Sequence, residues 1–220
     1  MKKCILICGA ALSLFSTEAL AQELDLQLRL GTQVATDASF DALQDSNLLP
    51  YTTLQVGYAL TEGSLQGLRL FLSYDNSTTA PSDRLGGGVN LDWTRYRFMV
   101  GGEYGIMLWN MFRPLAGIGV GYALGDMTVT ADDVRSDFTH DIAVEAFGGL
   151  DFMIDIATFD SGQVVRFNAG TRIGYQMQTE ARFDQLESGF PTWNRVDNDL
   201  GVLDTDGMFW NLGVGLSLAF

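Results

Sequence analysis

The chain has 220 residues, 47% of them hydrophobic and 18% charged, with 25 glycines, two cysteines and a formal net charge of −14. That length suits one sizeable domain. The acidic balance argues against nucleic acid as a partner.

Residues 1–21 read as a secretory signal peptide. Lys2 and Lys3 open it, Ile5 to Phe15 form a short apolar core, and Ala19-Leu20-Ala21 supplies small residues for cleavage before Gln22. The core is too short to cross a bilayer as a helix. Cys4 and Cys8 come too early for lipidation, and both leave with the leader. The mature chain, 22–220, then holds no cysteine, which excludes disulfides and thiolate chemistry. It carries 11 Arg, no Lys and 26 Asp or Glu, a net charge of −15.

No mature segment holds about 18 consecutive apolar residues, so no transmembrane helix is expected. Alternation with period two recurs instead, in segments near the roughly 9–11 residues of a tilted membrane strand. The first is 24–35, with Leu24, Leu26, Leu28, Leu30 and Val34 on one face. Strands follow at 51–60 (Leu54, Val56, Tyr58), 67–75 (Leu68, Leu70, Leu72) and 95–108 (Phe98, Val100, Tyr104, Ile106). Further strands are expected at 114–127 (Ile118, Val120, Tyr122), 138–153 (Phe138, Ile142, Val144) and 163–178 (Phe167, Ile173, Tyr175). The last is 207–220, where Met208, Trp210, Leu212, Val214, Leu216 and Leu218 alternate with small or polar residues. Short connections at 61–66, 109–113 and 154–162 alternate with long ones at 36–50, 76–94, 128–137 and 179–206. The stretch "GGGVNLDW" either extends the fourth strand or forms a hairpin. An even strand number with short and long connections in alternation predicts an all-β, eight-stranded antiparallel up-and-down transmembrane β-barrel.

The second face decides polarity. It collects glycines, among them Gly31, Gly57, Gly101, Gly117, Gly174 and Gly213, against Gly102 and Gly148 opposite. Small residues suit the crowded interior of an eight-stranded barrel. The same face carries Arg29, Arg69, Arg97, Arg166 and Arg172 with Asp25, Glu103, Asp141, Glu145 and Asp151. Buried charges need partners, and the forked guanidinium suits carboxylates. Aromatics fall near strand ends: Tyr51, Tyr74, Tyr96, Trp109, Phe138, Phe152, Tyr175, Trp210 and Phe220. Such rings favour the membrane–water boundary.

The leader, the eight alternating segments and a last strand closing on Phe220 resemble small outer-membrane barrels of the OmpA, OmpX and OmpW type. The resemblance implies a monomer in the outer membrane, in contact with outer-membrane lipid and lipopolysaccharide. It also implies that the C-terminal strand is read by the barrel-assembly machinery. Some small barrels are lipid A-modifying enzymes, which need a positioned base. The one histidine, His140, shares parity with Phe138, Ile142 and Val144 and should face lipid, with Asp141 on the opposite face. Ile142 stands where a His-x-Ser pattern would put its serine, and Phe138 where a protease-type Asp would precede the His. Asp197, Asp199, Asp204 and Asp206 do not follow the alternating spacing of an EF-hand loop. No catalytic, cofactor-binding or metal-binding residue is therefore assigned, and no cofactor.

The four long loops hold −11 of the −15 charge. The 179–206 loop adds Phe183, Leu186, Phe190 and Trp193, the kind of aromatic anchors that a binding loop on a rigid scaffold uses. The expected role is a non-enzymatic envelope-structural or surface-interaction barrel with an extracellular partner for its acidic loops. A narrow channel for small or hydrophobic solutes is the first alternative and a lipid A-modifying enzyme the second.

Overall fold

A computed structural model describes residues 22–36, 48–60, 65–79, 90–130, 134–179, 181–182 and 202–220. The leader, and most of the expected loops 36–50, 76–94 and 179–206, lie outside the described residues. So do Asp197 and Asp199.

Strands form at β1 (Gln22–Ala35), β2 (Leu48–Leu60), β3 (Leu68–Thr78), β4 (Asn90–Gly105), β5 (Phe112–Thr130), β6 (Val134–Thr158) and β7 (Val164–Gln178). Two-residue strands β8 (Ala181–Arg182) and β9 (Val202–Leu203) pair with each other, and β10 (Gly207–Ala219) ends the chain. The order β1-β10-β7-β6-β5-β4-β3-β2 closes into a barrel of antiparallel neighbours. Eight antiparallel strands in one ring are the predicted architecture. The β8–β9 ribbon was not expected.

Side-chain polarity is inverted relative to a soluble protein. Leu24, Leu26, Leu28 and Leu30 of β1 are 47–62% exposed, whereas Glu23, Asp25, Gln27 and Arg29 between them are at most 3% exposed. The same alternation runs along β10. Closure fixes the strand tilt. Stepping between paired residues leads from Glu23 through Ala59, Arg69, Glu103, Gly117, Phe147, Gly174 and Phe209 to Gln33. The circuit returns to β1 ten residues beyond its start, a stagger that for eight strands means a tilt of roughly 40°.

Several boundaries move from their expected places. The fourth strand begins at Asn90, so "NLDW" extends it. β5 and β6 are 19 and 25 residues long and pair as far as Thr130 and Val134. The expected long loop 128–137 is thus mostly strand. The lipid-facing run of β5 stops at Leu124, followed on the same face by Asp126 and Thr128, so these strands continue past the apolar band. At the other end, β6 continues to Thr158 through a bulge at Asp155–Ala157, which shortens the expected 154–162 connection. The β4–β5 turn is tight. Leu108 pairs with Phe112, and Trp109 and Asn110 have φ of 51° and 57°. Two successive left-handed residues match the hairpin twist. A bulky tryptophan there is strained; its ring stands edge-on to Phe112 at 6.2 Å.

Candidate functional site: the lumen and its mouths

The inward face of β1, β3, β4, β5, β6 and β7 converges on one ionic cluster near the terminal end of the barrel, where β1 begins and β10 finishes. Glu103 Oε1 accepts from Arg113 Nη1 at 2.8 Å and from Arg69 Nη1 at 3.3 Å, and its Oε2 lies 2.5 Å from Arg172 Nη2. Arg69 also faces Asp25 at 3.3 Å, Glu23 at 3.6 Å and Asp151 at 3.7 Å. Arg113 reaches Asp151 at 3.3 Å. Asn168 donates to Asp25 at 2.6 Å, and Arg172 donates to Gln55 at 2.8 Å. At the rim, Arg166 bridges Glu23 at 2.8 Å and Asp155 at 2.7 Å.

Above this cluster sits an aromatic layer that the sequence reading missed. Tyr51, Phe71, Leu115, Phe147 and Phe209 form a buried apolar cluster inside the barrel. Tyr51 was expected at the membrane boundary; it points inward instead, and Asn211 Nδ2 donates to its hydroxyl at 3.0 Å. The remaining boundary aromatics do face outward, among them Tyr74, Phe138, Tyr175, Trp210 and Phe220. Arg172 lies 4.8 Å over the Phe147 ring, coupling the ionic cluster to the aromatic layer by a cation–π contact.

Toward the loop end a second polar set follows. Arg97 pairs with Asp75 through Nε at 2.6 Å and with Glu145 at 3.6 Å. Arg95 donates to Gln33 at 2.8 Å, Gln33 donates to the Thr205 carbonyl, and Thr205 donates to Gln178 at 3.0 Å. Trp93 is buried beside them, with Arg95 5.7 Å from its ring. Asp141 meets Gln178 and Thr179 rather than an arginine among the described residues. The expected lumen charges are therefore brought together with that exception. Glu23, Asp75, Arg95 and Arg113 join them unforeseen.

Glycines make this packing fit. A Cβ on Gly101 would collide with the Phe71 ring, one on Gly117 would stand 2.6 Å from Phe147, and one on Gly213 2.7 Å from the Arg29 side chain. Phe71, Phe147 and Arg29 thus each lie over a glycine of the adjacent strand. The void left at mid-height, between Arg172, Phe147, Phe209, Tyr51 and Arg97, is about 20 Å³. At the terminal end a vestibule of about 510 Å³ opens, walled by Ala59, Met107 and Met153 and floored by Arg69 and Arg113.

His140 lies on the outer face, exposed and stacked on Tyr122 at 6.1 Å, while Asp141 points inward. The two side chains are on opposite faces of β6, as alternation requires. Asp206, at the entry to β10, accepts from the Gln178 amide at 2.5 Å. Among the described residues, no group of three or more His, Asp or Glu could hold a metal ion.

The model of the "Outer membrane protein beta-barrel domain" family matches residues 8–217. The chain belongs to that family. It is an all-β transmembrane barrel of the outer membrane, crossing with strands; among the described residues, no helix is long and apolar enough to cross. Among solved structures, a major outer membrane protein from Thermus thermophilus aligns at 10% identity with a TM-score of 0.51, covering 91% of this chain and 100% of that one. Neisserial surface protein A aligns at 15% identity and 0.49, covering 90% and 97%. The N-terminal β-barrel domain of Pseudomonas aeruginosa OprF aligns at 13% identity and 0.37, covering 90% and 97%. At such identities the likeness is one of fold. No curated protein matches the chain.

Proposed function

We propose that this barrel is a sealed, non-enzymatic scaffold in the outer membrane whose work is done at the loop end. One observation carries the reading: the lumen narrows at mid-height to a void of about 20 Å³, room for roughly one water. Charges paired below, aromatic rings at the waist and charges paired above support a closed lumen. A channel role is disfavoured on that ground. The outward, lipid-level position of His140 disfavours its use as the base of a lipid A-modifying enzyme.

In this reading residues 1–21 are the export leader, and the terminal strand with Phe220 is the segment the barrel-assembly machinery engages. The short connections face the periplasm and the long acidic loops face outward, as in other outer-membrane barrels. There they meet lipopolysaccharide and an extracellular partner, and the barrel acts as a monomer. Reconstitution in planar bilayers tests the seal. The purified barrel should add no conductance to that of the lipid. Regular conductance steps from the wild type would establish the channel alternative. Whole-cell proteolysis tests the orientation, with cleavage expected within 179–206.

A further inference from the structure

Charge balance at the terminal mouth excludes two kinds of occupant. The guanidiniums of Arg29, Arg69, Arg113, Arg166 and Arg172 are matched there by the carboxylates of Glu23, Asp25, Glu103, Asp151 and Asp155. Equal numbers of each sign leave no surplus positive charge for an anion. The carboxylates, each engaged by an arginine, are not free to surround a hard cation such as Ca²⁺, which takes roughly six to eight oxygens. What the vestibule of about 510 Å³ offers besides is thioether sulfur, since Met107 and Met153 both line it.

A third methionine adjoins them. Met107 and Met111 flank the tight β4–β5 turn, on either side of the Leu108–Phe112 bridge. Phe112 pairs with Phe152, so Met111 stands opposite Met153, whose amide donates to the Met111 carbonyl at 2.7 Å. Side chains opposite one another on antiparallel strands have Cβ atoms about 5 Å apart. Ile106 N donates to Pro114 O at 3.1 Å, which sets Met107 opposite Arg113, one strand from Met153. Three of the chain's eight methionines thus meet at one rim. Elsewhere in the lumen Met99 and Met127 are 2% and 1% exposed, as gap-filling methionines are. Met107 and Met111 are 40% and 41% exposed, beside a buried Met153.

Thioethers are neutral, soft ligands, and among biological metals they select Cu(I). Neutral sulfurs over a charge-balanced floor can take up a single positive charge. Glu23, the one carboxylate lining the vestibule, keeps Oε1 buried without a hydrogen-bond partner and adds negative potential at the same mouth. We propose that Met107, Met111 and Met153 form a binding site for a soft monovalent cation of the Cu(I) class. The methionine side chain has three rotatable bonds, so the two exposed thioethers can swing onto the cation beside the fixed one. This site lies outside the scaffold reading and does not depend on it.

The probe is Ag(I), which shares the ligand preference of Cu(I) and needs no reductant. Calorimetric titration of the full processed barrel, in detergent micelles and chloride-free buffer, should show one Ag(I) bound. Met107→Leu, Met111→Leu and Met153→Leu conserve volume and are the swaps a packed site tolerates best. Each should weaken binding about tenfold, near 1.4 kcal/mol. Met127→Leu in the loop-side lumen and Met208→Leu on the lipid face should leave it unchanged. Heat-modifiable electrophoretic mobility checks that each variant is folded, and the two exposed positions carry the test should Met153→Leu fail. A folded wild type without saturable Ag(I) binding overturns the proposal. So does undiminished binding by a Met107→Leu, Met111→Leu double variant, or a loss at Met208→Leu as large as that at Met111→Leu. Bilayer conductance reads the sealed-scaffold role separately.

Discussion

Glu103 is the residue on which the terminal-side ionic cluster turns, and Glu103→Gln is the sharpest test of how the lumen is held. The carboxylate is about 1% exposed and takes three guanidiniums, from Arg113, Arg69 and Arg172, at 2.8, 3.3 and 2.5 Å. Glutamine keeps the shape and one acceptor oxygen but deletes the negative charge. Three buried cations then share the remaining acids, chiefly Asp25 and Asp151, which Arg69 already engages. Removing one partner of a buried ion pair costs about 3–5 kcal/mol, because the other charge stays desolvated. Asp155→Asn is the matched control. It breaks the contact with Arg166, but Asp155 is 59% exposed, and exposed pairs contribute about 0–1 kcal/mol. Urea unfolding in lipid vesicles, followed by tryptophan fluorescence and electrophoretic mobility, measures both. Loss at Glu103 should exceed loss at Asp155 by about 2 kcal/mol or more. Adding Arg172→Gln should recover part of it, as coupled sites do. Equal, small losses would refute the view that paired charges hold the lumen closed.

Gly117→Ala forces a Cβ to within 2.6 Å of the Phe147 ring and 2.9 Å of Glu103 Cβ; overpacking of that kind costs about 1–3 kcal/mol. Gly148→Ala, with only the Leu115 carbonyl at 3.7 Å, should gain about 0.5–1 kcal/mol from reduced chain entropy, and the same unfolding assay separates the two. Asp206 joins the last loop to the barrel, and burial, helped by nearby Asp204, raises its pKa above the usual carboxylate value despite the Gln178 amide. Its ionised form is therefore the disfavoured one in the folded state: the junction is most stable below the ordinary aspartate pKa and loses stability as pH rises through the raised value. Asp206→Asn keeps an acceptor for Gln178 and removes the charge, so protease resistance at 179–206 should become flat with pH across the acid range where the wild type varies.

Which face each strand turns outward was legible because the lipid band demands large apolar side chains at every second position, and Leu24 to Leu30 meet that demand without exception. The lumen was harder. Phe71 lies between Leu70 and Leu72, and Phe209 between Met208 and Trp210, so each reads as part of an unbroken apolar run. What gives them room in the interior is a glycine opposite: Phe71 pairs with Gly101, and Phe209 with Gly174. Alternation alone puts Phe71 with Arg69 and Phe209 with Asn211 on the inner face; that these rings stack into one layer, each over a glycine, is what needs the register between strands. Arg113 was missed because it adjoins the turn that ends strand four. The extension of β5 and β6 was hidden for a different reason. Past Leu124 the strands leave the membrane, neither face needs to be apolar, and residues such as Asp126, Thr128 and Asp137 carry the composition of a loop while pairing as strand.

Register also explains how so narrow a barrel is closed. A stagger of ten on eight strands brings several large inward side chains across the backbone of a neighbouring strand, where a bulky partner would collide and a glycine does not. Arg69 lies over Gly57, Phe147 over Gly117, Arg29 over Gly213 and Arg113 over Gly105. The filling of the lumen is thus divided among many side chains at different heights, several of them seated by a glycine on another strand. Truncating one ring at the waist leaves paired charges above and below it still in place. Opening this lumen should therefore require the loss of side chains from at least two layers, and the same division makes the interior costly to alter at any single glycine.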